Sequence, residues 1–379
     1  MKPSRNGTPA SAADARPDVL LLGPHPSRCS ISIETYFSDL RAELIDKTGL
    51  HIDSRNPGCE PARDHAVWAW TDIYVRWPVV LRRSTAGLFH IMDQGLGWYA
   101  ALLRQQRFVV TVHDLLDLLT MRRNLPFPTP PVRRRPLIRA SAAALSRAAH
   151  LIAHSRYTAD LLHTELGFPT ASITVVPQVL NQRFKPPDAC DRQRLRSRLG
   201  CGEFPVVLYV GSAAPHKNRT NLLRAFALLH TRSPQARLIL ISSGPTPEEE
   251  RLIAASDIVD FVHFLSPVPA EQLPHFYGSA DVLVFPSLCE GVGRPPIEAM
   301  ACGCPVISST RGGLLEVVQD SAMSLLDPCD HTEIADKLYR VLTTPQLALE
   351  LRNRGLERAA QYRREHPVPT LQAIYRSLL

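Results

Sequence analysis

The amino-acid sequence predicts an α/β protein with two doubly wound domains, each of them a parallel sheet covered by helices. Short apolar runs of strand length alternate with amphipathic stretches of helix length, and this alternation is typical of parallel sheets. The chain has 379 residues, which is enough for two or three domains of roughly 150 residues each. A stretch rich in proline and charge near residue 190 separates two series of elements of similar length.

In the first series, the strands are predicted from apolar runs such as VLLL and FVVTV, and the helices from amphipathic spacing. The predicted strands are 18–23, 87–92, 107–112, 149–153 and 173–176, and the predicted helices are 33–47, 97–105, 134–147 and 156–166. Residues 53–82 have no clear period, so no element is assigned there. We expect residues 1–16 to be a disordered tail and residues 17–185 to form the N-terminal domain.

The second series is more regular. Its predicted strands are 205–212, 236–243, 260–265, 281–286, 305–309 and 322–326, and its predicted helices are 218–231, 247–255, 270–279, 295–302, 313–318, 331–343 and 346–362. We expect a linker and entry helix over 186–203, a C-terminal domain over 204–362 and a last helical segment over 363–379. Ligands of doubly wound sheets bind beyond the carboxyl ends of the strands, so a cleft between the two domains is the expected site.

The composition is that of an ordinary globular protein, with 45% hydrophobic and 21% charged residues. No apolar run approaches the roughly 20 residues that a membrane-spanning helix needs. The first 18 residues contain no apolar core of a secretory signal. Eight cysteines are too sparse for a disulfide framework. We therefore expect a cytoplasmic protein.

Basic residues are concentrated in one segment. The formal net charge is +7, and seven arginines lie within 122–147, whereas no acidic residue occurs between Asp117 and Asp160. Such a segment favours an anionic surface, and we expect peripheral attachment at the inner face of a membrane; a solvated basic face is the alternative. No nucleic-acid recognition motif accompanies the charge, so nucleic acid is not an expected partner.

Several common site motifs are absent from the sequence. The first strand lacks a following G-x-G-x-x-G dinucleotide fingerprint, and no G-x-x-x-x-G-K-[ST] phosphate loop occurs. No two aspartates lie two positions apart, which removes the simplest carboxylate pair for a divalent metal bound to a diphosphate. Cys302 and Cys304 have no second Cys or His pair at zinc spacing. We therefore expect neither a metal nor a resident cofactor.

The segment DVLVFPSLCEGVGRPPIEAMACGCPVI at 281–307 carries the strongest functional signal. A buried strand leads into a glycine-containing loop and then into a helix that begins with two prolines. Glycines allow a ligand to approach the backbone closely, and free N–H groups at a helix start favour an anion such as a diphosphate. Glu290 and Glu298 flank this loop, and a carboxylate accepts two hydrogen bonds from adjacent ribose hydroxyls. The arrangement suggests a sugar nucleotide, although Glu298 alone is also explained as a favourable charge at a helix start.

This segment resembles the Glu-x7-Glu region of retaining glycosyltransferase family 4, and Glu290 and Glu298 have that spacing. The similarity extends over most of the chain and includes VVTVHDLLDLL at 109–119, YVGSAAPHKNRTNLLRAFALL at 209–229 and PVISSTRGGLLEVVQDSAMSLLDP at 305–328. The resemblance implies the GT-B fold, in which two Rossmann-like domains face each other across a cleft and a C-terminal helix crosses back onto the N-terminal domain. It also implies that the N-terminal domain binds the acceptor and the C-terminal domain a nucleotide sugar.

The resemblance further implies a mannosyltransferase-like hexosyltransferase that needs no metal. Such an enzyme moves a hexose or deoxyhexose, with retained anomeric configuration, from a nucleoside-diphosphate sugar to a glycan or lipid-linked acceptor. The products would belong to a surface polysaccharide or a glycoconjugate.

The roles of single residues follow from the same resemblance. His113 and Glu290 are the candidate catalytic residues, since His113 contacts the transferred sugar and Glu290 orients its hydroxyls. Glu298 holds the ribose. Lys217 and the amides of 291–294 stabilise the leaving diphosphate electrostatically. For His113, a satisfied polar residue at a strand end is the structural alternative.

The sequence departs from the family pattern in the loop that is expected to bind the donor. The loop begins at Gly211, but Ser212 and His216 stand where the family usually carries an arginine near the diphosphate. Arg294 occupies a position where an apolar residue is commoner. We therefore expect Arg294 to supply the missing guanidinium.

Two further departures concern the space around the donor sugar. Val292, between Gly291 and Gly293, replaces the usual aromatic residue. The first loop, GPHPSRCSIS, lacks the usual double glycine, and Ser30 and Ser32 are expected to line the site there.

Two other functions are compatible with the same fold. One is an isomerase such as a sugar-nucleotide 2-epimerase, and the other is a non-catalytic protein that binds a sugar nucleotide or a glycan. Analysis of the products separates the three, because a transferase releases a nucleoside diphosphate, an isomerase converts the free sugar nucleotide, and a binding protein does neither.

Overall fold

The computed structural model describes residues 16–24, 31–57, 71–103, 106–123, 125 and 127–379, without the side chains of residues 31 and 32. Within these ranges the chain forms two β-sheets of six strands each, with helices between the strands. The expected tail over 1–16 lies outside the described residues except for Arg16.

The first sheet is built from the N-terminal half of the chain. Its strands are β1 Val19–Leu22, β2 Ile52–Arg55, β3 Leu88–Ile91, β4 Phe108–Val112, β5 His150–Ala153 and β6 Ile173–Val175. Its helices are α1 Ile31–Lys47, α2 Trp77–Arg83 after a π-helical turn at Asp72–Arg76, α3 Leu116–Arg122, α4 Arg135–Leu145 and α5 Arg156–Leu166. Short 3₁₀ segments lie at Gln94–Ala101, Val132–Arg134 and Thr170–Ser172.

The second sheet follows helix α6, Ala189–Arg198. Its strands are β7 Val206–Val210, β8 Arg237–Ile241, β9 Val262–Leu265, β10 Val282–Phe285, β11 Val306–Ser309 and β12 Met323–Leu325. The helices between and after them are α7 Arg219–Arg232, α8 Pro247–Ala255, α9 Leu273–Ser279, α10 Arg294–Ala301, α11 Leu314–Val318, α12 His331–Thr343, α13 Pro345–Arg364 and α14 Pro367–Leu378.

The strand order of the second sheet determines where a ligand can bind. The order is β12-β11-β10-β7-β8-β9, and the neighbouring strands are parallel. Chain order therefore reverses direction between β7 and β10, which pair through Val207 and Val282. In doubly wound folds the crevice for the ligand opens at the carboxyl ends of the two strands at such a switch point. The loops after β7 and β10 are therefore neighbours.

Strict alternation of buried side chains builds a core on each face of the second sheet. Val207 and Val284 point into one apolar cluster with helices α7 and α12, whereas Leu208 and Leu283 point into the other with α9 and α10. Successive side chains of a strand face opposite sides of the sheet, so continuous apolar strands are required where helices cover both faces. This requirement explains why the sequence of this half is so regular.

The last helix is anchored by a buried polar contact. The Tyr375 hydroxyl of α14 lies 2.7 Å from His90 Nδ1 on β3, and His90 Nε2 lies 2.7 Å from Thr111 Oγ1. His90 and Tyr375 are fully buried, so these hydrogen bonds replace the water that both groups lose.

The doubly wound α/β fold predicted from the sequence is confirmed, and all eleven predicted strands contain a strand of the structure. Strand β2 and helices α2 and α3 were not predicted. α3 was missed because its apolar residues follow β4 so closely that strand and helix form one apolar stretch. The helix expected at 97–105 is wrong, since 3₁₀ geometry over Gln94–Ala101 takes its place and residues 104–105 lie outside the described ranges.

By its internal packing the chain divides into two compact units. The first comprises residues up to Thr111, Ala140–Leu151 and Val368–Leu379, and the second comprises Val112–Arg139 and Ile152–Pro367. The division does not coincide with the two sheets, because the last residues of β4 and β5 and all of β6 belong to the second unit. The boundaries predicted from the sequence at 185 and 204 stay a prediction.

None of the helices in the described ranges has the length and apolar character needed to cross a membrane.

Candidate functional site

The candidate site lies at the switch point of the second sheet. The loop after β7 carries Lys217 and the loop after β10 carries Glu290, and their Nζ and Oε1 atoms are 2.6 Å apart. Both side chains are largely buried, at 18% and 10% exposure. The Lys217 ammonium also lies 5.2 Å from the centre of the Phe285 ring, within the range of a cation–π interaction. The structure thus brings together two of the predicted residues that are 73 positions apart in sequence.

Local geometry fixes the loop that carries Lys217. Gly211 ends β7, and a Cβ added there would lie 2.7 Å from the hydroxyl of Tyr209, which itself donates to the carbonyl of Ser212 at 3.0 Å. The loop then makes a 3₁₀ turn over Pro215–Lys217 and ends at Asn218 in the left-handed conformation, with φ of 60°.

Asn218 ties this loop to two others. Its side-chain amide donates to the carbonyls of Pro286, at 3.1 Å, and Pro328, at 2.5 Å. In addition, the Leu288 N–H donates to the carbonyl of His216 at 2.7 Å. Asparagine tolerates positive φ better than most residues, and here the same side chain holds the ends of β10 and β12 in register with Lys217.

Backbone packing around Gly291 places Glu290 next to His113. A Cβ added to Gly291 would overlap the carbonyl oxygen of His113, and one added to Gly313 would overlap the carbonyl oxygen of Gly291. Hydrogen bonds hold the same segment, since Gly313 N–H donates to the Glu290 carbonyl at 2.8 Å and the Ser155 hydroxyl to the Gly291 carbonyl at 2.6 Å. Glycine is required here because only backbone fits between backbone.

His113 itself is buried, at 7% exposure. Its Nδ1 atom lies 3.4 Å from the side-chain amide of Gln178, and its ring lies 4.8 Å from the ring of His154. His154 Nδ1 lies 2.8 Å from the carbonyl of Val176, which assigns the donor hydrogen to that nitrogen. The catalytic role of His113 stays a prediction, but its backbone does contact the loop of Glu290.

Glu298 and Arg294 form a second buried pair at the start of α10. Arg294 Nε donates to Glu298 Oε1 at 3.0 Å, and the hydroxyl of Tyr277 on α9 donates to Glu298 Oε2 at 2.9 Å. Arg294 and Glu298 are each 6% exposed, and Tyr277 is fully buried. The Nε atom of Arg294 is therefore engaged by Glu298, and the expected role of this guanidinium at the diphosphate stays a prediction. In the first turn of α10, Arg294 is followed by Pro295 and Pro296, which have no N–H to offer a ligand.

A third buried pair shapes the loop after β8. Arg219 Nε donates to Glu249 Oε1 at 2.7 Å, and Arg219 Nη1 donates at 2.8 Å to both Ser242 Oγ and the Ser243 carbonyl. Arg219 Nη2 reaches the Gly244 carbonyl at 3.1 Å, so one guanidinium holds the whole turn.

The Glu249 carboxylate also completes a capping box with Thr246 at the start of α8. Burial alone would raise the pKa of Glu249, but hydrogen bonds from Arg219 and Thr246 hold this pKa below its ordinary value.

The remaining predicted donor-binding residues differ in exposure. Ser212 is exposed and Val292 is buried. His216 is half-buried, its ring lies 6.0 Å from that of Phe127, and burial lowers the pKa of its imidazole. Gly293 has φ of 82°, a conformation that favours glycine. Ser30 and the side chain of Ser32 lie outside the described residues, so their expected place in the site stays a prediction.

The structure adds two residues that the sequence did not reveal, Tyr277 and Arg219. Each acts on a carboxylate that is distant in sequence, so no spacing rule predicts the contact. Only the capping box T-P-E-E at 246–249 was a visible signal, and it indicates the helix start rather than the arginine. In the described part of the chain, no group of three or more His, Cys, Asp or Glu side chains could hold a metal ion.

Two family models match the chain. The model described as "Glycosyl transferases group 1" matches residues 191–359, and the one described as "Glycosyltransferase Family 4" matches residues 40–181. Together they cover most of both halves of the chain, including every predicted site residue from His113 onwards.

Proteins similar in sequence to this chain are also named as glycosyltransferases or mannosyltransferases. The GDP-mannose-dependent α-(1-6)-phosphatidylinositol monomannoside mannosyltransferase of Mycolicibacterium smegmatis is 33% identical over 204 residues, which are 51% of this chain and 53% of that protein. The D-inositol 3-phosphate glycosyltransferase of Saccharomonospora viridis is 34% identical over 248 residues, 62% and 57% of the two chains. The O-antigen chain mannosyltransferase B of Escherichia coli is 28% identical over 263 residues, which are 68% of this chain and 67% of that protein. The chain thus spans little more than half the length of the first two relatives.

Solved structures share the fold at low identity. Sucrose-phosphate synthase from Thermosynechococcus elongatus has a TM-score of 0.76 at 23% identity, and the alignment covers 96% of this chain and 99% of that one. WaaG, a glycosyltransferase involved in lipopolysaccharide biosynthesis, has a TM-score of 0.75 at 14% identity and covers 94% and 99%. These likenesses confirm the two-domain GT-B α/β fold expected from the sequence.

Replacing Gly291 with alanine is expected to disrupt the candidate site. The added Cβ must displace the His113 backbone, so we expect a loss of about 1–3 kcal/mol in the free energy of unfolding, measured by urea denaturation. Gly244→Ala is the matched control, because a Cβ at Gly244 meets no atom within 4 Å. Equal stability of the two variants would contradict the packing described around Gly291.

Glu249→Gln is expected to change the pH dependence of stability. The lowered pKa of Glu249 contributes stability above its unfolded-state value, and this contribution is lost as pH falls through the folded-state value. The variant should therefore be less stable than the wild type by about 3 kcal/mol near neutral pH, and the gap should narrow below about pH 4. Urea unfolding across this pH range tests the expectation. Glu250→Gln, an exposed neighbour on α8, should show no such gap, and a gap for Glu249→Gln that is constant with pH would refute it.

Proposed function

Because the chain belongs to glycosyltransferase family 4, we propose that it transfers a hexose or deoxyhexose from a nucleoside-diphosphate sugar to a glycan or lipid-linked acceptor, with retention of anomeric configuration. The proposed products belong to surface polysaccharide or glycoconjugate synthesis. The proposal rests on the family matches and on the chemistry of the site at the switch point of the second sheet.

The observation that carries the proposal is the Lys217–Glu290 pair on adjoining loops. Breaking the bond between sugar and diphosphate leaves negative charge on the diphosphate, and a cation fixed in a partly dry site stabilises that charge better than water does. Lys217 is such a cation, and Glu290 holds it in place while no donor is bound. On donor binding, the ammonium pairs with the diphosphate and the carboxylate turns to the sugar hydroxyls.

The neighbouring groups complete the proposed mechanism. Glu298 accepts hydrogen bonds from the ribose hydroxyls, and His113 contacts the sugar on the side opposite the diphosphate. The backbone amides of residues 291–294 supply further hydrogen-bond donors to the diphosphate. Pro295 and Pro296, which follow, have no N–H to donate. No residue is assigned as a nucleophile, and no metal is required by this set of charges.

The names of the relatives favour a mannosyl donor. One relative is described as GDP-mannose-dependent, and another as an O-antigen chain mannosyltransferase. The phosphatidylinositol mannoside named for the first also supports a lipid-linked acceptor.

Ligand-dependent stabilisation tests the donor proposal directly. A nucleoside diphosphate that binds only the native state raises the unfolding free energy by about 2.7 kcal/mol at 100 times its Kd. In a thermal-shift panel of UDP, GDP, ADP and dTDP, at least one should raise the melting temperature. Lys217→Ala should lower the affinity for that nucleoside diphosphate by roughly 10-fold or more, since a charge-assisted contact is lost.

Lys337→Ala is the matched control for this test, because Lys337 is also a half-buried lysine paired with a glutamate, Glu333, at 2.5 Å. If no nucleoside diphosphate stabilises the wild type, or if both lysine variants lose the same affinity, the donor site is not at Lys217. Release of a nucleoside diphosphate with an elongated acceptor, and the anomeric configuration of the product by NMR, then separate a retaining transferase from an isomerase or a binding protein.

We also propose that the basic segment attaches the protein to an anionic membrane surface. Arg133, Arg134 and Arg139 are exposed around the start of α4, and Val132 beside them is 73% exposed. Arg134 lies 3.1 Å from Asp117, and both side chains are more than half exposed, so water screens this pair and leaves the segment positive. Each basic residue near an anionic lipid surface contributes about 1 kcal/mol, and an exposed valine can enter the headgroup region.

Vesicle co-sedimentation tests this attachment. The wild type should pellet with phosphatidylglycerol-containing vesicles more than with phosphatidylcholine vesicles, and added salt should reduce binding. The double variant Arg133→Glu/Arg139→Glu should lose the preference for anionic vesicles. Arg194→Glu/Arg198→Glu, which changes two exposed arginines of α6, is the control for net charge. Equal loss in the two double variants would show that overall charge, rather than this segment, binds the vesicles.

A further inference from the structure

The carboxylate of Glu298 is held on both of its oxygens. Oε1 accepts from Arg294 Nε at 3.0 Å, and Oε2 accepts from the Tyr277 hydroxyl at 2.9 Å. Arg294 lies one turn earlier on α10, and Tyr277 lies on the neighbouring helix α9. A side chain tied to two separate helical positions has little rotational freedom left.

The chemistry of the two donors suits this task. Burial and the charge of Glu298 raise the pKa of Tyr277 well above its ordinary value, so the phenol keeps its proton and donates a hydrogen bond to the carboxylate. The arginine is separated from the glutamate by four residues of one helix, which places the two side chains on the same face. Arg294 and Glu298 thus compensate each other's charge in a site that excludes most water.

The carboxylate still has acceptor capacity for a ligand. An ionised carboxylate offers about four acceptor positions, and the two contacts described use one on each oxygen. A pair of vicinal hydroxyls, such as those of a ribose, needs one acceptor position on each oxygen or two on one. Because the contacts to Arg294 and Tyr277 fix the plane of the carboxylate, they also fix the direction of the positions that remain.

From this geometry we propose that Arg294 and Tyr277 are positioning residues that orient the Glu298 carboxylate toward the ribose hydroxyls of the donor nucleotide. Arg294 acts through the contact of its Nε atom with Glu298. This inference rests on the proposed function, since it concerns the same nucleotide site.

Discrimination between ribose and 2′-deoxyribose tests the inference, because a merely structural role does not depend on the sugar. The dissociation constants of UDP, GDP and ADP are compared with those of dUDP, dGDP and dADP by calorimetry. The wild type should prefer its best ribonucleotide by at least about 10-fold over the deoxy form, and Glu298→Gln should abolish most of this preference. Tyr277→Phe and Arg294→Leu should each lower the preference by about 3- to 10-fold.

A double-variant comparison shows whether Tyr277 acts through Glu298. If it does, Tyr277→Phe should have no further effect on the preference in the Glu298→Gln background. Tyr375→Phe is the matched control, because Tyr375 is also a fully buried tyrosine and its hydroxyl pairs with His90 rather than with a carboxylate. It should leave the ribose preference unchanged, whatever it costs in stability.

The outcomes separate this inference from the proposed function. A wild type that binds no nucleoside diphosphate overturns both. Nucleotide binding without a ribose preference, or a preference that Tyr277→Phe and Arg294→Leu leave unchanged, overturns the positioning role alone. If Arg294→Leu does not fold, the result for Tyr277→Phe decides.

Discussion

Contact of backbone with backbone at Gly291 is the constraint on which the candidate site depends. The His113 carbonyl lies where a side chain of residue 291 would be, and the Gly291 carbonyl lies where a side chain of residue 313 would be. Three segments that are far apart in sequence therefore meet at the closest distance that a polypeptide allows. This packing places Glu290 next to His113, and the pairing of β7 with β10 places Lys217 next to Glu290.

Buried charge at this site is organised as neighbouring pairs. Lys217 pairs with Glu290, Arg294 with Glu298, and Arg219 with Glu249. Removing an ion from water costs several kcal/mol, so such pairs contribute little net stability and are better explained by what they orient. In the proposed function the first pair holds the ammonium that meets the diphosphate and the second orients a carboxylate, whereas the third holds the turn after β8 through Arg219. The members of the first two pairs were candidate site residues from the sequence, and Arg219 of the third pair lies two positions after Lys217.

Whether a feature of the structure could be predicted from the sequence depends on how far apart in sequence the interacting residues are. The strands of the second sheet were predictable because helices cover both of its faces and most strand positions are therefore apolar. The spacing of Glu290 and Glu298 was visible in the sequence because it is a local property, and Lys217 was identified through the family resemblance; the roles of all three stay predictions. Tyr277 was not predictable, since its hydroxyl matters only through a carboxylate on another helix. Strand β2 was missed because its residues, IDSR, are only partly buried and carry no apolar run.

Asn218 occupies a left-handed position, with φ of 60°, that glycine would more commonly fill. The left-handed position next to Lys217 is most simply filled by glycine, but glycine gives the unfolded chain more conformational freedom to lose on folding. Asparagine accepts the same dihedral angles and gives back two hydrogen bonds, to the carbonyls of Pro286 and Pro328. One side chain consequently holds together the segments that contain Asn218, Pro286 and Pro328. Asn218 is buried, so a shift of one segment that breaks these hydrogen bonds leaves a buried amide unpaired, which costs free energy.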